Sequence, residues 1–314
     1  MRRKLGTTGL EISPLMFGGN VFGWTVDEAT SFALLDAFID AGFNAIDTAD
    51  VYSNWVPGNE GGESERIIGK WMKLRGNRDR VVIATKVGMK FAEDKRGLRK
   101  EYILASAENS LRRLQTDYID LYQSHVDDPD TPQDETLSAY ADLVAAGKVR
   151  AIGASNYTAE RLAQSLAKSR EHGYPAYGSL QPLYNLYDRA EFERDLAPLC
   201  LAENIGVITY SSLASGFLSG KYRSESDLSK SPRGPRTQKR MNERGFRIVG
   251  ALDEVAARHD STPAQVALAW LMTRPAVTVP IASATSLAQL DDLIASTQLQ
   301  LEPGAITLLN QASE

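Results

Sequence analysis

The sequence predicts an α/β protein, a single-domain (β/α)8 TIM barrel with an N-terminal β-hairpin, and three observations carry that reading. Short apolar runs alternate with longer stretches of helical period to the end of the chain, the pattern of βα units on a parallel sheet. Eight such runs follow the hairpin, the number that closes a barrel. No linker, repeat or low-complexity tract divides the 314 residues, and barrels of this class commonly use about 250 residues or more as one domain.

In chain order, Lys4-Leu5-Gly6 and Leu10-Glu11-Ile12, joined by Thr7-Thr8-Gly9, read as a hairpin within residues 1–13. The candidate strands are Pro14 to Phe17, Ala45 to Ile46, Val81 to Ala84, Ile119 to Tyr122, Ala151 to Gly153, Gly178 to Leu180, Val207 to Thr209 and Val277 to Val279. Helical spacing puts Ile103, Ala107, Leu111 and Leu114 on one face, and Leu137, Tyr140, Ala141 and Val144 on another. Thr262-Pro263-Ala264-Gln265 supplies an N-cap, a proline at the first helical position and a capping-box glutamine. Arg223 to Arg240, with Ser-Pro-Arg-Gly-Pro-Arg inside it, reads as a mobile basic loop.

Composition narrows the function classes. With 43% hydrophobic and 24% charged residues, the chain matches an ordinary soluble globular protein. Its 35 Lys+Arg against 40 Asp+Glu, a net charge of -5, give no field to draw nucleic acid over a whole face. The lone Cys200 rules out an intramolecular disulfide and a cysteine-based metal cluster, so no metal is expected and a reducing, cytoplasmic setting fits. Val81 to Ala84 and Val266 to Met272 are far shorter than the about 20 apolar residues of a membrane helix, and the charged start lacks the apolar core of a targeting segment. A small molecule is the expected partner, and the oligomeric state stays open.

In a barrel of this kind the active site lies at the C-terminal ends of the strands. The residues that follow the apolar runs are Asp47, Lys86, Gln123 with His125, Ser155 with Asn156, Gln181, and Tyr210 with Ser211. Read singly, Asp47 is a turn or cap residue, the nearby Tyr52 a packed aromatic, and His125 as readily a core histidine as a catalyst. Six polar strand ends facing one mouth favour a concave polar site. Tyrosine, with a reference pKa of about 10, needs a cation beside it to act as an acid near neutral pH. Lys86 supplies the cation, Asp47 holds it charged, and a neutral His125 can orient a substrate oxygen. The four suit protonation of a carbonyl oxygen while hydride arrives at its carbon.

With those residues in place, the chain resembles the aldo-keto reductases, from Arg3-Lys4-Leu5-Gly6-Thr7-Thr8-Gly9-Leu10 to its final helices. Phe43-Asn44-Ala45-Ile46-Asp47-Thr48-Ala49-Asp50-Val51-Tyr52 matches the family's Asp-and-Tyr signature, Val82-Ile83-Ala84-Thr85-Lys86 its lysine strand, and Asp120-Leu121-Tyr122-Gln123-Ser124-His125 its histidine strand. The resemblance implies Tyr52 as general acid, with Asp47, Lys86 and His125 as partners. It also implies cofactor contacts. Ser155, Asn156 and Gln181 match the nicotinamide carboxamide positions, Tyr210 the ring that stacks on the nicotinamide, and Asn20 and Val21 its surroundings, with Asp47 alongside. Ser211, Leu213, Ser215, Gly216 and Lys221 fall in the pyrophosphate loop within residues 211–249, and Arg233 where an arginine closes over the cofactor. Ser283, Thr285, Gln289 and Asp292 fall at the adenosine end.

Three departures stand out: Ser212 for a usual proline, Ser283 for Gly or Lys, and Leu293 for an asparagine. Gly216 to Lys221 has one residue too few for a P-loop, and no strand-linked G-x-G-x-x-G occurs. The implied function is NADPH-dependent reduction of an aldehyde or ketone, with NADH possible as cofactor. The substrate is expected to be a small carbonyl or sugar-like molecule, with Trp24 and Trp55 either walling its pocket or packing their own loops. Two alternatives remain: an NAD(P)-dependent sugar or alcohol dehydrogenase of the same fold, and a cofactor-sensing binding subunit like the potassium-channel β-subunits.

Overall fold

The computed structural model describes residues 2–90, 92 and 96–314. β1 (Arg3–Lys4) and β2 (Glu11–Ile12) form the antiparallel hairpin. Eight strands follow: β3 (Met16–Gly18), β4 (Ala45–Asp47), β5 (Val82–Val87), β6 (Ile119–Ser124), β7 (Val149–Ser155), β8 (Ser179–Gln181), β9 (Gly206–Thr209) and β10 (Val279–Ala282). They close in the order β10-β3-β4-β5-β6-β7-β8-β9, every pair parallel. This is the (β/α)8 barrel with an N-terminal hairpin.

The helices are α1 (Glu28–Asp40), α2 (Glu63–Arg75), α3 (Lys100–Leu114), α4 (Gln133–Ala145), α5 (Ala159–His172), α6 (Ala197–Ala202), α7 (Glu243–Arg258), α8 (Pro263–Met272), α9 (Leu287–Ala295) and α10 (Pro303–Ala312). Among the described residues none is long and apolar enough to cross a membrane. Asp27, Thr158 and Asn242 cap α1, α5 and α7 by accepting from backbone amides of the first turn. The stripe Ile103, Ala107, Leu111 and Leu114 is buried against the barrel, as its period requires.

The hairpin closes the barrel's lower end. Leu5 and Ile12 pack with Met16, Ala45, Ala84, Leu121, Ala151, Ile208, Val279 and Ile281, which form the inner floor. Gly6 makes that approach possible. At φ +50 it lies so close to β9 that a Cβ there would stand 2.2 Å from the Gly206 amide and 2.4 Å from the Gly178 carbonyl. With the floor and hairpin packed below, the strand-end side chains open toward the opposite mouth.

Several boundaries differ from the sequence reading. Hydropathy ends each strand where a polar residue begins, but the ladder runs on through Asp47, Lys86, Gln123, Ser155 and Gln181, whose side chains turn into the barrel. The last strand is Val279–Ala282, two residues later than expected. On α4 Leu137, Ala139, Tyr140 and Leu143 are buried, and Val144 packs half-buried against the same core. Thr262 caps α8, but Gln265 does not complete a capping box: its Nε2 donates to Asp292 Oδ1 at 2.7 Å instead. Residues 223–240 are not an irregular loop. They fold into 3-10 turns over Glu225–Lys230 and Gly234–Arg240, pinned by Arg223 to Asp253, Tyr222 to Ser231 and Arg240 to Asp188.

Candidate active site

At the mouth, β4 and β5 run side by side so that Asp47 pairs with Ala84 in register, and Lys86 stands two residues further along. Lys86 is fully buried. Its three ammonium protons meet three acceptors: Asp47 Oδ2 at 2.7 Å, the Thr48 carbonyl at 2.8 Å and Tyr52 Oη at 2.9 Å. Tyr52 Oη donates in turn to Asp47 Oδ2 at a long 3.3 Å, and Gln181 Nε2 donates to Asp47 Oδ1 at 2.9 Å. Asp47 is therefore occupied on both oxygens, and the hydroxyl proton of Tyr52 is held by the weakest bond of the set.

His125 closes the group, its ring 5.9 Å from that of Tyr52 at 74°. Burial, and after it the Lys86 charge, pushes its pKa well below the usual histidine value, so the imidazole is neutral. Burial also lowers Lys86, against the pull of Asp47, and burial with the Asp47 charge raises Tyr52 well above the usual phenol value. In the absence of a reacting oxygen Tyr52 keeps its proton.

These groups open into one elongated cavity of about 840 Å³, within the size range of small-molecule sites. Asn20, Val21, Ser155, Asn156, Gln181, Tyr210, Ser211, Leu213, Ser215, Gly216, Lys221, Arg233, Ser283, Thr285, Gln289 and Asp292 all line it, with Asp47, Tyr52, His125 and Trp24. Lys86 lies behind the wall and touches it through Asp47 and Tyr52. Trp55 is not part of the lining: it is 41% exposed and stands edge-on to Trp24 at 5.5 Å and to Tyr52 at 6.2 Å. Met89, Thr25 and Lys230 line the cavity and were not singled out from sequence. Only Lys230 carried a signal, as part of the basic 223–240 stretch.

The wall is held by its own bonds. Asn156, at φ +55, donates to the His125 carbonyl at 2.9 Å and accepts from Tyr210 Oη at 2.7 Å. Ser283 Oγ donates to Asn20 Oδ1 at 2.7 Å, tying β10 to the first barrel loop. Ser211, Ala214 and Ser215 hold positive φ without being glycine, followed by Gly216 at +92. The amides of Ala214 and Gly216 close this turn on the Ser211 and Leu213 carbonyls at 2.7 and 2.8 Å. Arg233 and Arg236 stand 5.3 and 5.6 Å from the Trp24 ring, and Nη2 of Arg233 is buried without a partner.

A closed parallel barrel thus brings Asp47, Tyr52, the buried Lys86 and a neutral His125 together at its mouth. The chain belongs to the aldo/keto reductase family, whose pattern it matches over residues 14–314. It is 36% identical to the uncharacterized oxidoreductase YrpG of Bacillus subtilis, over 98% of this chain and 94% of that one. It is 35% identical to the aldo-keto reductase YhdN of the same organism, over 92% and 86% of the two chains. With the norsolorinic acid reductase stcV of Emericella nidulans it shares 34% identity over 93% of this chain and 76% of that one.

Proposed function

We propose that this single-domain protein is an NADPH-dependent reductase that transfers hydride to the carbonyl carbon of an aldehyde or ketone, with Tyr52 as general acid. The observation that carries the reading is the Lys86 ammonium bonded at once to Asp47 and to Tyr52 Oη. The dinucleotide, when bound, supplies the hydride. As charge develops on the substrate oxygen, the Tyr52 proton leaves its 3.3 Å contact with Asp47 for that oxygen. The phenolate left behind lies against Lys86, in a site that water does not reach on the lysine side. His125, neutral, offers one N–H to the same oxygen and fixes its direction.

The residues present fit the dinucleotide. The unpartnered, buried Nη2 of Arg233 needs an acceptor, and Lys221 on the same cavity wall offers charge to a pyrophosphate, while the Ala214 and Gly216 amides are taken by the Ser211 and Leu213 carbonyls. Ser155, Asn156 and Gln181 surround the place for the carboxamide, and Tyr210 offers its ring. Thr285, whose amide and hydroxyl donate to Gln289 Oε1 at 3.0 and 3.1 Å, would give a 2′-phosphate those donors in exchange for that contact, at the N-terminus of α9. A second reading, an NADH-using or NAD(P)-dependent sugar or alcohol dehydrogenase, is favoured by one observation. The lining given by β10 and α9 holds no cation and one carboxylate, Asp292. The one cysteine, Cys200, is buried and free, which suits a cytoplasmic enzyme.

A panel of aldehydes, ketones and sugars with NADPH and NADH, followed at the nicotinamide absorbance, tests reading and rivals together. Turnover preferring NADPH supports the proposal, and tight cofactor binding without any turnover supports a sensing role. Tyr52→Phe is expected to abolish reduction while NADPH binding stays near wild type, and unchanged turnover in that variant sinks the mechanism.

A further inference from the structure

Behind the tetrad lies a second group of buried charges that the reaction as described does not use. Asp50, two residues before Tyr52, is 2% exposed, and its amide donates to the carbonyl of Lys86 at 3.2 Å. Neither carboxyl oxygen of Asp50 has a donor in bonding geometry. Its electrostatic surroundings come from every neighbouring element: Glu65 on α2, Lys86 on β5, Arg113 on α3, Tyr122 on β6 and Tyr140 on α4. Glu65 is fully buried and saturated, accepting from Thr85 Oγ1 and from Arg113 Nε, both at 2.5 Å. Tyr122 Oη, like Asp50, has no partner.

The charges can be counted. Two cations, Lys86 and Arg113, face three carboxyls, Asp47, Asp50 and Glu65. Asp47 is bonded to Lys86, and Glu65 to Arg113. Asp50 is the remaining carboxyl: among the described residues no cation is paired with it, and the Val51 amide alone approaches it as a donor. An ionised carboxylate buried in that state is costly, and taking up a proton removes the cost. Burial, then the Glu65 charge, pushes Asp50 well above the usual carboxylate value, against a weaker opposite pull from Arg113, the Val51 amide and Lys86.

We propose that Asp50 carries a proton in the resting enzyme and is a positioning residue that sets the alkaline limit of carbonyl reduction. This rests on the Tyr52 mechanism above. While Asp50 is neutral, the cluster balances and Lys86 serves Asp47 and Tyr52 alone. When Asp50 ionises at alkaline pH, a third negative charge appears behind Lys86. Tyr52 then holds its proton more firmly and becomes a weaker acid, so reduction slows.

Infrared spectra of the full-length protein test the proton directly. The wild type should show the carbonyl stretch of a protonated carboxylic acid at neutral pH, shifted in D2O and fading as pH rises, and Asp50→Asn should lack it. Loss of a carboxylate band instead, in the same comparison, overturns the proposal. The pH profile of kcat gives the second readout. Asp50→Asn keeps the neutral charge state, so turnover at neutral pH should stay within about twofold, while its alkaline limb moves up by about one pH unit. A limb that stays in place or moves down overturns the assignment. If neither protein reduces any carbonyl, the reductase reading fails, while the infrared result still decides the state of Asp50.

Discussion

Replacing Lys86 by methionine removes the ammonium and keeps the apolar stem that packs in the barrel. The lost contact is the 2.9 Å bond to Tyr52 Oη. At that separation and an effective dielectric of about 20, a full phenolate–ammonium pair interacts by about 6 kcal/mol. With the proton about half transferred in the transition state, about 3 kcal/mol of stabilisation disappears, or about a hundredfold in kcat. Asp47 also loses the cation it is paired with, and breaking a buried pair on one side costs about 3–5 kcal/mol of stability. Rates should therefore be taken well below the melting temperature of the variant. The assay is kcat for carbonyl reduction beside the NADPH dissociation constant from nicotinamide fluorescence. A fall of about a hundredfold in kcat, with cofactor affinity within about threefold, is expected. A kcat within about threefold of wild type, or a loss confined to KM, refutes Lys86 as the group that stabilises the phenolate.

Two further outcomes follow from other parts of the molecule. Arg233→Gln and Lys221→Gln should weaken NADPH more than NADH in direct binding titrations, because both cations face the cavity and the more highly charged cofactor gains more from them. Equal losses would confine them to the pyrophosphate. Gly6→Ala should destabilise the fold by about 3 kcal/mol or more in denaturant unfolding, since its Cβ would meet two backbone groups of the barrel floor at a positive φ. A change below about 1 kcal/mol would mean the hairpin lifts away at little cost.

Much of the site was legible because chemistry is written at strand ends. A lysine closing the apolar run 81–85 and a histidine just past Ile119 to Tyr122 are conspicuous whatever the neighbours do. Met89 lines the same cavity but carries no chemical mark, so nothing in the sequence separates it from a core methionine. Trp55 carried a mark and nevertheless lies outside the lining, because its ring packs edge-on against Trp24. Asp50 belonged to the quoted signature without a role. Its isolation exists only once α2 and α3 bring Glu65 and Arg113 to it and give each to the other.

The sequence by itself determined the fold class and the hairpin, and marked Asp47, Lys86 and His125 at or just past strand ends, since periodicity 2 and 3.6 and the residues that close apolar runs are local properties. Tertiary structure decided where strands stop, because inward-facing polar residues extend the ladder that hydropathy alone would end. It ordered residues 223–240 through partners as distant as Asp188 and Asp253. It also decided protonation. Burial and the count of neighbouring charges, not residue type, make His125 neutral, leave the proton on Tyr52 and raise Asp50, and those quantities exist only after distant segments have packed together.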